Sequence, residues 1–270
     1  MKKSILSFIV GAALSALLAV QLCGTPALTQ KDINNESLNA ILWQQTAAEY
    51  RALCYQAYNA ALDEVRAAAE AFTSRDKPLA IVLDGDETVL DNSQVDAVLI
   101  DKEDAGLDLL SQWHYAGIAE AVPGAKNFLD AVDALGAGIF YVTNRMEDKK
   151  ADTMRNMKAL EFPQIDDVHV IMKAGGSSKD SRFRRIAASY DVVVYLGDNA
   201  HDFPMEIYGK SGNERNAITD ANRELFGRKY IVLPNPIYGS WLGAIAEGYY
   251  KMSPAEQHKA KTDALRIWRK

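Results

Sequence analysis

The sequence predicts an α/β fold: a parallel sheet flanked by helices, preceded by a long N-terminal helical segment and interrupted after the first strand by a small helical insertion, or cap. Three observations carry that prediction. Five short apolar runs have strand length and are mostly rich in β-branched or aromatic residues: 79–83 (LAIVL), 138–142 (GIFYV), 168–172 (VHVIM), 192–196 (VVVYL) and 229–233 (KYIVL). Helix-like segments separate them, at about 124–135, 147–160, 178–189 and 217–226. That alternation calls for a parallel sheet covered on both faces. Polar and charged residues follow directly after each run, and open parallel sheets bind ligands beyond the carboxyl ends of their strands.

Three segments precede the first strand. Residues 1–27 open on Met-Lys-Lys and continue in ILSFIVGAALSALLAV, the pattern of a secretory signal peptide that is not part of the fold. A retained membrane anchor is the alternative. Cleavage after Ala27 is one route to a mature N-terminus. Acylation of Cys23 is the other, although Leu22 stands where lipidated sites usually take Gly, Ala or Ser. Either route exports the protein to the periplasm or cell envelope. Residues 28–36 read as a polar tether. From 37 to 72 the apolar spacing is helical, with no Gly or Pro, which predicts one long amphipathic helix or two. Cys54 falls in this stretch and reads as a buried, inert thiol, so no disulfide framework is expected.

Residues 37–270 form a single domain on this reading, with the insertion at about 93–120. That insertion is richer in Asp, carries Trp113, His114 and Tyr115, and shows no strand pattern. Overall composition is 48% hydrophobic and 24% charged, with a net charge of −6. An acidic chain is poorly suited to wrapping a nucleic acid polymer, which needs a basic surface. The one basic run, Lys179 to Arg185, reads for the most part as the exposed face of a helix.

The strand ends concentrate the chemistry. After the first strand comes Asp84-Gly85-Asp86-Glu87-Thr88, and after the second Thr143-Asn144-Arg145. Gly175-Gly176-Ser177-Ser178-Lys179 opens a helix after the third. Gly197-Asp198-Asn199-Ala200-His201-Asp202 follows the fourth, and Pro234-Asn235-Pro236-Ile237-Tyr238 the fifth. Carboxylates from separate strands repel unless a cation sits between them. An all-oxygen, incompletely caged set suits Mg²⁺, which keeps waters and binds one or two carboxylates plus substrate phosphate. Thr143, Asn144 and nearby N–H groups can hold phosphate oxygens, and Lys179 adds a point charge. An aspartate can serve as nucleophile, and a second carboxylate two residues on can act as general acid. Glu87 and Asp91 read as local scaffold acids. His201 is an ordinary loop histidine or a tuner of the metal site, and Trp43 and Trp241 read as core.

Taken together, Asp84-x-Asp86-x-Thr88, Thr143, Lys179 and Gly197-Asp198-x-x-x-Asp202 resemble the haloacid dehalogenase (HAD) superfamily of phosphatases. More closely, the chain resembles the class C acid phosphatases, an exported bacterial acid phosphatase and 5′-nucleotidase lipoprotein family. The resemblance runs from ILWQQTAAEYRALCYQAYNAA (41–61) through DGDETVLDNS, AVPGA (121–125), FYVTNR (140–145), SSKDSRF (177–183) and YLGDNAHDF (195–203) to LPNPIYGSW (233–241). It implies a HAD-like Rossmannoid sheet and Mg²⁺-dependent hydrolysis of small phosphomonoesters, with nucleoside monophosphates favoured. By the same resemblance Asp84 is the nucleophile and a metal ligand. Asp86 is the general acid/base and binds metal through its backbone carbonyl. Asp198 ligates the metal, Asp202 supports it, and Thr143 and Lys179 bind phosphate. Trp113 and Tyr238 lie where the family places aromatics near the substrate, Tyr238 for stacking on a base. The departures are Gly85, where the family carries Ile or Leu, Val95 in place of a tyrosine, and Ala200-His201. Gly85 predicts a looser backbone beside the nucleophile and is the one feature that leans toward a phosphate-ligand binding protein with weak turnover. A phosphotransferase would use the same aspartates.

Overall fold

The computed structural model describes residues 27–73, 77–103 and 106–268. The expected signal segment, with Cys23, lies outside those residues. Among the described residues no helix is long and apolar enough to cross a membrane.

The segment read as a tether is not one. Gln30–Asn35 forms a short helix closed by a reciprocal cap, in which the Thr29 hydroxyl accepts from the Asp32 N–H and the Asp32 carboxylate from the Thr29 N–H. Ile33 is buried, and the Asn34 amide donates to the Lys102 carbonyl at 2.9 Å. With one apolar residue that becomes buried, the segment has no periodicity to read, and tertiary contacts order it. The helical stretch after it divides into Leu38–Thr46 and Ala48–Ala71, because Ala47 is extended (ψ 130°). The longer helix buries Tyr50, Cys54, Ala57, Tyr58, Ala61 and Val65, a single face at three- and four-residue spacing. Burial pushes the Cys54 thiol up to about 11, in keeping with an inert core sulfur. Trp43 is half-buried against the same core, edge-on to Tyr50.

The main sheet is parallel, in the order β5-β4-β1-β6-β7. Its strands are β1 (Leu79–Leu83), β4 (Gly138–Met146), β5 (Val170–Lys173), β6 (Asp191–Gly197) and β7 (Tyr230–Val232). Central β1 is buried on both faces, which is why it reads as a continuous apolar run. Its alternate residues serve two cores. Ile81 and Leu83 join Ile139, Tyr141 and Leu196 beneath the long N-terminal helix. Ala80 and Val82 join Phe140, Phe183 and Phe203 on the other face.

Local differences from the sequence reading have local causes. The third strand begins two residues later than expected, because the Asp166 carboxylate accepts from the N–H groups of Val168 and His169 and holds them in a turn. The helix expected at 217–226 begins earlier, at Gly212, capped by Ser211 and Glu214, and ends at Ala221. The insertion carries helices Ser93–Val98 and Leu107–Ala116, as expected. Two-residue strands, β2 (Leu90–Asp91) and β3 (Glu120–Ala121), pair antiparallel at its base. They are too short to leave a pattern in the sequence.

The C-terminal helix Pro254–Asp263 returns to the N-terminal one through Glu36, whose carboxylate binds His258 and Lys261 at 2.6 Å each. Partial burial alone would raise Glu36, but the Lys261 and His258 hydrogen bonds outweigh it and hold it below its usual value. A depressed carboxylate stabilises the fold above its unfolded pKa, and that contribution is lost as pH falls through the folded value. Protection from hydrogen exchange in residues 254–263 is therefore expected to fall as the pH drops below the ordinary glutamate range in the wild type. Glu36→Gln should show fast exchange there already at neutral pH.

Candidate active site

Asp84 is the first residue past β1. Its N–H still bonds the Leu196 carbonyl at 3.0 Å, so the ladder holds the backbone to the point where the side chain leaves the sheet. The turn that follows is tight. The Gly85 carbonyl accepts from the N–H groups of Val89 and Leu90, both at 2.9 Å. A Cβ at Gly85 would lie 3.3 Å from Thr143 Cβ and Oγ1. Glycine therefore permits β1 and β4 to approach at their ends, and the looser backbone expected there is not found. The feature that leaned toward a weakly active binding protein disappears with it.

Lys179, fully buried at the start of helix Asp180–Ser189, stands between two acids, 2.6 Å from Asp84 Oδ1 and 2.7 Å from Asp202 Oδ1. Asp198, at the end of β6, accepts from the Asn235 amide at 2.8 Å. One oxygen from each of Asp84, Asp198 and Asp202 lies within 4.8 Å of the others. Asp202 gets this close because residue 197 is glycine, where any Cβ would overlap the Asp202 side chain. Burial drives both outer acids upward. Asp84 rises to about 7, with Lys179 pulling against burial and Asp202 and Asp86 adding repulsion, and Asp198 rises well above the usual range. Three buried carboxylates with a single ammonium among them form an all-oxygen donor set short of positive charge. A divalent cation fits it.

Asp86 faces elsewhere. Its carboxylate takes Arg145 Nε and Nη2 at 3.0 and 2.6 Å, and the Asn92 amide at 2.8 Å. Burial would raise it, but the Arg145 guanidinium holds it below the usual carboxylate range. Its side chain is thus not among the three clustered carboxylates.

The basic run is also corrected. Lys179 and Arg182 are buried, leaving Arg184 and Arg185 exposed. Arg182 donates to the Thr143 carbonyl and to Asn144 Oδ1, both at 2.6 Å, while the Asn144 amide donates to Ser177. The Asn144 carboxamide is therefore occupied by the scaffold, although the residue lines the cavity. Thr143 is buried, and its hydroxyl accepts from the Arg145 N–H at 3.1 Å.

A cavity of about 400 Å³ brings Asp84, Asp86, Asn144, Arg145 and Asp198 together with apolar Val95, Leu110, Tyr238 and Tyr250. The Tyr238 hydroxyl donates to Glu87, a fully buried acid that also accepts from the Asn92 N–H, so Glu87 is the scaffold group expected of it. The hydroxyl end is tethered while 36% of the residue remains exposed. Trp113 is not in the cavity lining. Its indole N–H donates to Asn92 Oδ1 at 2.7 Å, steadying the residue that holds Asp86. Trp241 is not core either: it is 43% exposed and bonds the Tyr238 carbonyl. His201 lines the cavity, bonded to Asn199 and Ser240, and burial holds it below its usual value.

The match to known proteins agrees with this geometry. Residues 13–241 match the model of the HAD superfamily, subfamily IIIB (acid phosphatase). The structure of the class C acid phosphatase from Bacillus anthracis superposes with a TM-score of 0.85 at 34% identity, covering 89% of this chain and 100% of that one. The same enzyme's structure with tungstate bound gives 0.84 at 35% identity, over 87% and 99%. The chain belongs to the class C acid phosphatases of the HAD superfamily.

For this phosphatase, sequence reasoning missed the groups that aim the catalytic candidates. Arg145, Asn92, Arg182 and Asn235 hold Asp86, Thr143 and Asp198 in place. Arg145 and Asn235 had a signal, since both directly follow strands whose neighbours were singled out. Arg182 had none, because a buried arginine inside a basic helix looks like its exposed neighbours.

Two substitutions probe the cluster. Lys179→Met leaves buried carboxylates without the ammonium between them and is expected to destabilise the phosphatase by about 3–5 kcal/mol in urea melts. Gly197→Ala forces Asp202 aside and should cost about 1–3 kcal/mol in the same melts, with activity falling further than stability explains.

Proposed function

We propose that this acid phosphatase hydrolyses small phosphomonoesters, nucleoside monophosphates among them, in two steps through an aspartyl-phosphate on Asp84, with Mg²⁺, in the periplasm or cell envelope. The observation that carries the reading is the Asp84 carboxylate in the cavity, with Oδ1 held by Lys179 and Oδ2 left to attack. A bound tungstate in the Bacillus anthracis relative supports an oxyanion site in this fold.

In the first step Asp84 Oδ2 bonds to phosphorus and the bond to the leaving oxygen breaks. Asp86 gives that oxygen a proton. Lys179 and the N–H groups around Thr143 offset charge on the phosphoryl oxygens, the preorganised stabilisation that is usually the largest contribution. In the second step Asp86, now ionised, takes a proton from water. The water oxygen bonds to phosphorus, and the acyl phosphate bond breaks to regenerate Asp84. Mg²⁺ would be held by Asp84, Asp198 and Asp202 with the Asp86 carbonyl, and when bound supplies charge neutralisation and orientation of the phosphate. Tyr238, anchored by its hydroxyl, offers its ring to a base. Export follows from the basic and apolar pattern of residues 1–27, with Cys23 as the candidate lipid site.

Asp86 must be protonated for the first step, and Arg145 favours its ionised form. The proton is present below the folded pKa of Asp86, so kcat/KM should fall as pH rises through it. Arg145→Gln lifts that pKa and should move the alkaline limb of the pH profile upward; an unmoved limb would remove Asp86 from the acid role.

The central test is hydrolysis of p-nitrophenyl phosphate and of a panel of nucleotides and sugar phosphates, with and without Mg²⁺. Asp84→Asn should abolish turnover while its circular dichroism spectrum stays native, and turnover retained by that variant would sink the assignment. Asp198→Asn should raise the Mg²⁺ concentration needed for half-maximal rate.

A further inference from the structure

One buried acid in the cavity has no part in the chemistry above. Asp96 lies in helix Ser93–Val98 of the insertion and lines the cavity together with its neighbour Val95. Its Oδ2 is buried and makes no hydrogen bond with any described residue. Nearby donors are already engaged. Arg145 is committed to Asp86, the Asn92 amide to Asp86 and Glu87, and the Gln44 amide to Asp91. His114, also in the lining, is pushed down to about 4 by burial and by Arg145, so it carries no charge to pair with Asp96. A buried carboxyl oxygen left without a partner is costly, and such groups in native proteins ask for an explanation. Asp96 is only partly buried as a residue, and it lines the cavity.

We propose that Asp96 reads the leaving alcohol: its carboxyl group hydrogen-bonds a hydroxyl that the alcohol carries in addition to the esterified oxygen. The preferred substrates are then phosphomonoesters of polyhydroxylated alcohols, the shared chemistry of a nucleotide's ribose and a free sugar. The inference rests on the reading that Asp84 meets the phosphate in the same cavity. A hydroxyl is the fitting partner because it both donates and accepts. Burial, with Asp91 and Asp86 adding repulsion, pushes Asp96 up to about 7, so both its forms are present near neutrality and a hydroxyl satisfies either. An ammonium would suit only the ionised form. Val95 and Leu110 are apolar, which leaves Asp96 and the uncharged His114 as the polar groups that the insertion adds to the lining.

The test is a ratio of kcat/KM within matched pairs: ribose 5-phosphate against tetrahydrofurfuryl phosphate, and adenosine monophosphate against its 2′,3′-dideoxy analogue. The wild type should favour the hydroxylated member by about 10-fold to 100-fold, the range set by a hydrogen bond to a buried polar group. Asp96→Ala should collapse that ratio to within about 2-fold, and Asp96→Asn, which keeps hydrogen-bonding atoms, should retain most of it. Asp96→Leu serves in place of Asp96→Ala if the latter does not fold. Discrimination in the nucleotide pair alone assigns the ribose of a nucleotide, and discrimination in the sugar pair alone assigns a free sugar. A wild-type ratio near one overturns the proposal. So does a variant that slows both members of each pair equally, which is the signature of a merely structural acid. If the wild type cleaves p-nitrophenyl phosphate without discriminating within the pairs, the Asp96 inference fails alone. If it cleaves nothing, the phosphatase reading fails and takes this one with it.

Discussion

The buried ammonium of Lys179 is the interaction on which the site depends. It stands between Asp84 from the end of β1 and Asp202 from the turn after β6, and it comes from the helix that follows β5. Desolvating these charges is expensive, and only their mutual geometry offsets that penalty. Much of the local backbone serves this arrangement. Gly197 makes room for Asp202, and Gly85 lets the ends of β1 and β4 close up. The Asn199 N–H and the Asn235 amide take the outward-facing oxygens of Asp202 and Asp198. One ammonium does not balance three carboxylates, and the remaining deficit is what suits the cluster to a cation.

A second buried pair sets the opposite bias two residues away. Arg145 holds Asp86 below the usual carboxylate range while burial drives Asp84 upward to about 7. The two environments divide the pair, and a cation held at the cluster would favour the ionised form of Asp84 that a nucleophile needs. The turn joining them is short, so the division comes from what each side chain faces: Lys179 and acids for Asp84, a guanidinium and the Asn92 amide for Asp86. Trp113 acts at one remove, orienting Asn92 rather than meeting substrate. Tyr238, which does line the cavity, is fixed by a buried acid from the same turn. Glu87 thereby couples the turn after β1 to the part of the cavity where the insertion adds Val95, Asp96 and Leu110.

The fold was legible because it follows from one-dimensional regularities. A strand buried on both faces must be apolar throughout, and LAIVL and VVVYL are. A helix covering a sheet must repeat its apolar face every three or four residues, and the stretch from Leu38 to Ala71 does, broken where Ala47 turns out of helical geometry. Segments whose order comes from distant partners were not legible. The capped helix at Gln30–Asn35 offers one buried apolar residue, and the strands at the base of the insertion are two residues each. Their partners lie tens of residues away, at Lys102 and in the C-terminal helix for one, and across the insertion for the other.

By itself, the sequence determined the α/β class, the sheet's carboxyl edge as the place of the chemistry, and the identity of Asp84, Asp198, Asp202 and Lys179 as the groups that meet there. It could do so because strand length and strand ends are local properties, and because carboxylates gathered at several strand ends call for a cation. Only the tertiary structure decided which charge each acid faces, that Lys179 and Arg182 turn inward while Arg184 and Arg185 do not, that Tyr238 and not Trp113 lines the cavity, and that Gly85 is held tightly. Those outcomes depend on burial and on partners far apart in the chain, and a side chain's protonation and direction are set by what surrounds it in space.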